Sequence, residues 1–291
     1  MELNRAYYIE MGKHDSVTVT AYDAHHCPGA VAFLFEGYFG TILYTGDFRF
    51  EDETKYPPIL KGKNIDTLYL DNTFCDKACK FPPREVVAEE IVRLVKCHLD
   101  SNTEGQVRIG MRSLGKEELL EKIALSLQCH ITVEQILMDQ LELLQRRNVY
   151  SLEKTPIQVV RFHQVTGQLA KSLNEIAPTL VILPTALYEG LDFKPYEHSY
   201  DIAVMPYSDH SSFPELEKFV AFIRPKSVIP IVPAKTRGPF GCDFSSRADM
   251  SCFKNYLNPD PPPEVIIPDE VKKYMYHRLV SFSFLSINVL S

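Results

Sequence analysis

Histidine and aspartate side chains flank a short apolar hairpin near the start of the chain. Two apolar runs, Ala30–Phe35 and Thr41–Tyr44, are separated by a glycine-bearing turn, with His25 and His26 before the first run and Asp47 after the second. Strands paired in a hairpin bring these two polar ends to the same edge of the sheet. An imidazole and a carboxylate at one edge form half of a metal site. A plain hairpin with a turn-forming aspartate explains the same residues and stays open as the alternative.

Other polar side chains stand where strands end or helices begin. They are Asp71, Ser113, Lys116, His163, Thr185, and the run Asp209, His210, Ser211 and Ser212. Taken singly, each has an ordinary structural explanation, such as a helix cap, a strand end or a loop histidine. Cys27 beside His26 is not expected to be a ligand, because neighbouring side chains of an extended chain point apart.

The elements that would position these groups fall into two patterns. Short β-branched and apolar runs, including Ser16–Tyr22 and Ile65–Leu70, predict strands in the first 77 residues. From about residue 78 to 195, helical and strand patterns alternate, beginning with the amphipathic segment Arg84–Asp100. This alternation is typical of a compact α/β unit. Strand patterns then return around a helix predicted over Pro214–Ile223.

Composition places the chain among soluble globular proteins. Its 291 residues are 45% hydrophobic and 24% charged, which suits one large domain or two intertwined ones. A net charge of −7 argues against a generally basic nucleic-acid binder but permits a local basic groove. The seven cysteines include no C-x-x-C pair and predict reduced thiols in the cytosol or nucleus. No stretch has the length and apolarity expected of a signal peptide or a membrane span.

Six segments, taken in order, carry a family resemblance. They are D-A-H-H-C-P-G-A, L-F-E-G-Y-F-G-T-I-L-Y-T-G-D-F-R, L-Y-L-D-N-T, S-L-G-K-E, L-P-T and P-Y-S-D-H-S-S-F. Together they resemble the metallo-β-lactamase/β-CASP nucleases of DNA repair over about residues 15–270. The resemblance implies an α/β fold, an αββα sandwich formed by residues 1–77 and 196–270. A β-CASP α/β unit would be inserted at residues 78–195, and residues 271–291 would form a tail.

The resemblance also implies a metal centre and a second group of catalytic residues. By position, His26, Asp47 and His210 match zinc ligands, with Asp47 bridging two metal positions. Asp71 and His163 match motifs of the β-CASP unit and join Asp47 as catalytic residues. The last β-CASP motif would fall in Val228–Val232, where this chain has no histidine. That absence favours DNA over RNA as the substrate.

The implied activity is metal-dependent hydrolysis of DNA from a 5′-phosphate end in the 5′-to-3′ direction. The implied setting is the nucleus, in interstrand cross-link repair and in the processing of double-strand breaks and telomere ends. Candidate substrate ligands come from the inserted unit, from the helix after His210, where backbone N–H groups favour phosphate, and from a later loop. These candidates are Ser113, Lys116, Thr185, Ser211, Ser212, Lys235 and Arg237.

The family's H-x-H-x-D-H motif does not occur in this sequence. A catalytic zinc ion normally has three protein ligands of its own. Here three ligands would be shared between two ion positions. We therefore expect a sandwich incomplete at the N-terminus, with an uncovered apolar face, poor solubility, weak metal retention and little hydrolysis. A shortened coding sequence and a catalytically inactive isoform both remain open as causes.

Two functions other than the nuclease remain as alternatives. One is a catalytically inactive DNA-binding fragment, and the other is a metallo-hydrolase of small esters, since fold alone does not fix function. The sequence also ends before a long C-terminal tail through which a relative binds telomere components. We therefore expect no telomere-protein partner and no membrane association.

Overall fold

The structure is a computed structural model that describes residues 1–10, 16–55, 60–112, 114–234, 241–261 and 263–273. It confirms the predicted α/β class, with two six-stranded sheets. Most of the predicted tail, residues 274–291, lies outside the described residues. No helix in the described ranges is long and apolar enough to span a membrane.

The elements follow one another in this order. The strands are β1 (Ala6–Glu10), β2 (Ser16–Asp23), β3 (Val31–Gly37), β4 (Gly40–Tyr44), β5 (Thr67–Leu70), β6 (Gln106–Met111), β7 (Ile131–Thr132), β8 (Tyr150–Ser151), β9 (Ile157–Arg161), β10 (Thr179–Pro184), β11 (Ile202–Met205) and β12 (Ser227–Pro230). The helices are α1 (Arg84–Ser101), α2 (Glu117–Leu127), α3 (Gln135–Leu143), α4 (Gly167–Asn174) and α5 (Phe213–Ile223).

The first sheet has the order β1-β2-β3-β4-β5-β12. Its first four strands pair antiparallel, whereas β5 pairs in parallel with both β4 and β12. Leu34, Leu43 and Leu68 are cross-strand neighbours on one face and belong to the core that includes Leu216 and Phe219 of α5. Because side chains alternate along a strand, this one buried face fixes the register of the sheet.

The opposite face of the first sheet carries aromatic side chains. Phe33 lies opposite Tyr44, and Tyr44 lies opposite Tyr69, with ring centroids of the two tyrosines 5.9 Å apart. Tyr44 and Ile229 are each 38% exposed. Within the described residues, this face is therefore much less covered than the face against α5.

Strand β1 was not predicted from the sequence. Its five residues are mostly exposed, and Tyr8 is 77% exposed. The strand pairs along its whole length with β2, from Ala6 opposite Thr20 to Glu10 opposite Ser16. Because it forms through backbone pairing and not through burial, it leaves little trace in the hydrophobic pattern.

The second sheet is parallel throughout, in the order β11-β10-β6-β9-β7-β8. Both of its faces are covered, as parallel sheets require. Leu180 and Ile182 of β10 join one core with α1, α2 and α3, while Val181 and Leu183 join another with Ala170 of α4. The strands of this sheet lie between residues 106 and 205, mostly within the segment predicted as the inserted unit.

The second sheet extends past the boundary that the sequence suggested. Its edge strand β11 pairs with β10 from Val181 opposite Ile202 to Pro184 opposite Met205. The sheet therefore continues about ten residues beyond position 195. The division into residues 1–77 plus 196–270 and residues 78–195 otherwise stays a prediction.

Neighbouring residues of β4 offer a test of the two faces of the first sheet. Leu43 is 1% exposed and packs toward α5, whereas Tyr44 lies on the aromatic face. We expect Leu43→Ala to lower the free energy of unfolding by about 2–5 kcal/mol, as large-to-small core changes do. Tyr44→Ala should cost about 1 kcal/mol or less, because less of its surface is buried. Urea denaturation measures both, and equal losses would show that both faces are covered in solution.

Candidate metal centre and adjoining groove

The β3–β4 hairpin brings His26 and Asp47 together at one edge of the first sheet. His26 precedes β3 and Asp47 follows β4, and the distance from His26 Nε2 to Asp47 Oδ2 is 4.0 Å. The loop before β3 turns at His25, whose φ of 53° is left-handed. Its backbone N–H donates to Asp23 Oδ1 at 2.7 Å, which stabilises the turn. The sequence argument predicted this pairing of polar ends.

His210 completes the group from a distant part of the chain. It lies between β11 and α5, and its ring centroid is 4.6 Å from that of His26. One ligand atom from each of His26, Asp47 and His210 lies within 4.8 Å of the others. Among the His, Cys, Asp and Glu side chains of the described residues, these three form a group that could hold a metal ion. The three residues predicted as ligands are thus found side by side.

Both histidines use Nδ1 for a hydrogen bond to a protein oxygen. His210 Nδ1 lies 2.7 Å from Asp71 Oδ2, and His26 Nδ1 lies 3.0 Å from the backbone oxygen of Asp209. A carbonyl accepts and does not donate, so Nδ1 of His26 carries a proton, and in the neutral ring this leaves the lone pair on Nε2. The carboxylate fixes His210 in the same way whenever its ring is neutral. Histidines that bind metals are held in this manner, so the donor set fits a divalent ion.

Asp71 and His210 shift each other's pKa. Burial disfavours the charged carboxylate, but hydrogen bonds from His210 and Thr73 outweigh it and hold the pKa of Asp71 below its usual range. Burial also opposes charging of His210, yet the Asp71 carboxylate raises the pKa of its imidazole. A metal ion at His210 Nε2 must therefore compete with a proton that binds more strongly than it does to an ordinary histidine.

Asp209 connects the metal-site loop to the second sheet. Its Oδ2 lies 2.7 Å from Lys116 Nζ, and its Oδ1 lies 4.0 Å from Arg84 Nη1. Arg84 in turn pairs with Glu51 at 2.7 Å. The Lys116 ammonium also lies 5.0 Å from the centroid of the Tyr207 ring. We name Asp209, Lys116 and Arg84 the clamp, because these three side chains hold the backbone carbonyl that orients His26.

Lys116 belongs to the clamp in the structure, and its role as a substrate ligand stays a prediction. We predicted a substrate ligand, but its ammonium is already in an ion pair with Asp209. Asp209 stands in the D-H-S-S run of the sequence, where no role was predicted for it. The ion pair joins residues 93 positions apart, so no local pattern could have indicated it.

Ser211 and Ser212 are buried and hydrogen-bond to other residues of the protein. Each is 2% exposed. Ser211 Oγ accepts from the backbone N–H of Phe50 at 2.9 Å. Ser212 caps α5, and its N–H and hydroxyl donate to Glu215 Oε2 at 2.7 and 2.9 Å. In the structure they form a capping box and a loop anchor, and their role as substrate ligands stays a prediction.

A groove of about 360 Å³ opens beside the metal candidates, and we name it the main groove. His26 and His210 line one part of it, and Arg112, Phe162 and Thr185 line another. The Arg112 guanidinium carbon lies 5.1 Å from the centroid of the Phe162 ring. Arg112 was missed in the sequence, although it stands directly after a strand and one residue before Ser113. Thr185 was predicted and lines the main groove.

His163 is not brought to the metal candidates. It lies in a 3-10 turn, Phe162–Gln164, directly after β9. Phe162 lines the main groove, whereas His163 lines a separate cavity with Arg161. The tight turn separates the two neighbouring side chains, which is why the predicted catalytic role of His163 at the metal centre does not follow. Ser113, Lys235 and Arg237 lie outside the described residues.

Comparisons with known proteins agree with this architecture. A family model described as DNA repair metallo-beta-lactamase matches residues 148–236. The 5′ exonuclease Apollo of Rattus norvegicus is 39% identical over 270 residues, which cover 91% of this chain and 45% of that protein. The protein of that name from Gallus gallus is 40% identical over 251 residues, covering 84% and 50%.

A relative with lower sequence identity is also named for DNA repair. The DNA cross-link repair protein SNM1 of Arabidopsis thaliana is 31% identical over 280 residues, covering 88% of this chain and 55% of that protein. A crystal structure of a protein of unknown function from Enterococcus faecalis V583 shares the fold, with a TM-score of 0.51 and 19% identity over 83% of this chain and 64% of that one.

The chain spans about half the length of the curated relatives it matches. The match to the Rattus norvegicus protein covers 91% of this chain. The members of this family bind divalent metal, and the group described above is a possible site for it. The chain is similar to the DNA repair metallo-beta-lactamase family over residues 148–236 and, over most of its length, to relatives named for DNA repair.

Proposed function

We propose that this chain carries the metal-binding and DNA-binding parts of a 5′-to-3′ DNA exonuclease. One observation carries the proposal. His26 and His210 are each oriented by a hydrogen bond at Nδ1, lie beside Asp47, and line a groove. Relatives named 5′ exonuclease Apollo support the same activity.

We propose zinc as the metal, held by His26, Asp47 and His210. When bound, a zinc ion lowers the pKa of a water molecule and neutralises charge on phosphoryl oxygens. The chain's own residues position the ligands: the Asp71 carboxylate holds the Nδ1 proton of His210, and the Asp209 carbonyl accepts that of His26. Asp71 thereby acts as a positioning residue in this scheme.

The main groove is proposed to hold the 5′-phosphate end of a DNA strand. Arg112 supplies a cation there in place of Lys116, whose charge is neutralised by Asp209. The Thr185 hydroxyl adds a short hydrogen-bonding group, and the Phe162 ring gives a surface on which a base can stack. DNA is favoured over RNA because Val228–Val232 contains no histidine.

The setting we propose is interstrand cross-link repair in the nucleus. The name DNA cross-link repair protein belongs to relatives from plants and animals, which supports this pathway. Processing of double-strand breaks and telomere ends is a further proposal that rests on the family resemblance.

A DNA-binding role without catalysis is the second candidate. It is favoured by the ligand count, because the group in the described part of the chain offers three side chains for one ion. Three protein ligands can hold one catalytic zinc ion. They are too few for the two metal positions that the family resemblance implies. The experiment below separates binding from turnover.

Metal content and digestion of 5′-phosphorylated single-stranded DNA test the proposal together. We expect Asp47→Asn to reduce turnover at least about 100-fold, since even the outer partners of metal ligands are worth about 10–100-fold. Asp47 is 59% exposed at its side chain, so the variant should fold. The same DNA without a 5′-phosphate is the control substrate.

Three outcomes are informative in that experiment. Turnover that survives both Asp47→Asn and His210→Ala would contradict the metal assignment. Tight binding of 5′-phosphorylated DNA without any turnover would favour the second candidate. Equal binding of the phosphorylated and unphosphorylated strands would contradict the 5′-phosphate groove.

The clamp is tested through metal affinity. Asp209→Asn keeps the backbone carbonyl that contacts His26 but removes the charge that Lys116 and Arg84 hold. We expect about tenfold weaker zinc binding for Asp209→Asn and for Lys116→Met, with a double variant little worse than either. Competition with a chromophoric chelator measures the affinity. Lys122→Met, which breaks an ion pair on the outside of α2, is the control.

A different result would support the predicted role of Lys116 as a substrate ligand. If Lys116→Met weakened DNA binding and left zinc affinity unchanged, its ammonium would act on the strand and not on the metal site. Additive losses in the double variant would likewise show that Asp209 and Lys116 act separately.

A further inference from the structure

A second cavity of about 370 Å³ lies at the carboxyl edge of the parallel sheet. Its lining comes from the ends of β6 and β9 and from the first turns of α3, and includes Arg112, Arg161, His163, Ile136 and Leu137. We name it the side cavity. It contains no metal candidate, and nothing in the proposed exonuclease site uses Arg161 or His163.

The side cavity lies between two neighbouring parallel strands, β6 and β9, whose following connections leave in opposite directions. From β6 the chain passes through α2 to β7 on one side, whereas from β9 it passes through α4 to β10 on the other. Strands β6 and β9 are neighbours, with Met111 opposite Arg161. Adjacent strands whose connections leave in opposite directions open a crevice at their carboxyl ends, and ligands of such sheets bind there.

Arg112 belongs to both the main groove and the side cavity. Its guanidinium packs over the Phe162 ring, and no carboxylate in the described ranges lies within 4.0 Å of it. An unneutralised arginine between two cavities suits a phosphate shared by the nucleotides on either side.

The rest of the side cavity combines positive charge with an apolar wall. Arg161 Nη2 pairs with Glu134 Oε2 at 3.0 Å, and both side chains are about half exposed. His163 is exposed beside them. Ile136, which is 63% exposed, and Leu137 form an apolar surface on α3. Cations next to an open apolar surface suit a phosphate with an attached base.

We propose that the side cavity is a second nucleotide-binding subsite, continuous with the main groove through Arg112. A DNA strand seated in the main groove passes Arg112, places its next phosphate at Arg161 and lays a base on Ile136 and Leu137. The proposal rests on the proposed function, because it extends the path of the same strand. It predicts that affinity increases with strand length through residues of the side cavity.

Substitutions of Arg161 and Glu134 should change the affinity for DNA in opposite directions. The probes are thymidine 5′-monophosphate and a 5′-phosphorylated thymidine tetranucleotide with phosphorothioate linkages that block turnover, with binding followed by calorimetry. Arg161→Gln should weaken tetranucleotide binding by roughly five- to tenfold, the range for losing a partly exposed charged hydrogen bond. Glu134→Gln should strengthen it, because Arg161 is released. Neither variant should change mononucleotide binding.

An exposed pair elsewhere on the surface provides the matched control. Arg147 Nη1 lies 2.8 Å from Glu142 Oε1, outside both cavities. Arg147→Gln and Glu142→Gln change the net charge by the same amounts and should leave both affinities unchanged. The salt dependence adds a second readout, since losing one phosphate contact to a single strand lowers the slope of log K against log salt by about 0.7.

Three results would overturn the proposal. The control pair could change affinity as much as the Arg161–Glu134 pair, or Arg161→Gln could weaken the mononucleotide as much as the tetranucleotide. The wild-type protein could also bind both probes equally. If the wild-type protein binds neither probe, the proposed DNA-binding function fails with it, and that result is distinct from the other three.

Discussion

The Asp71 carboxylate accepts hydrogen bonds from three parts of the chain. Asp71 directly follows β5 and is 2% exposed. Its carboxylate accepts from the ring of His210, from the backbone N–H of Phe48, and from the hydroxyl and N–H of Thr73. Phe48 follows Asp47 directly, so one buried anion fixes the loops of two metal candidates. An ionised carboxylate this deeply buried is stable only because its acceptors are satisfied. The geometry of the site depends on it.

A second buried ion pair supports the same region from behind. Arg49 is fully buried and donates to Glu215 at 2.8 Å and to the backbone oxygen of Ser208. Glu215 is also the residue that caps the start of α5 with Ser212. Such a pair contributes little net stability, because desolvation offsets its attraction, but losing one partner leaves an uncompensated charge. It holds the segment before His210 against the loop after Asp47.

The local part of the site followed from the sequence, and the long-range part did not. His26 and Asp47 flank one hairpin, so the geometry of paired strands was enough to place them together. His210 lies more than 160 residues further on and was assigned only through the family resemblance. Asp209, Lys116 and Arg112 depend on how the second sheet sits against the first, which no local spacing reports. Ser211 and Ser212 are the reverse case, because the capping pattern visible in the sequence is what the structure shows for Ser212.

Hydrogen bonds at Nδ1 orient His26 and His210 so that each offers Nε2 to a metal ion, and ¹⁵N NMR of histidine-labelled protein tests this most directly. On titration with zinc, the Nε2 resonances of His26 and His210 should shift to metal-bound positions while both Nδ1 atoms keep their protons. His163 and other histidines outside the group should stay unchanged. Metal-induced shifts at Nδ1, or no shift at either of the two histidines, would contradict the assignment.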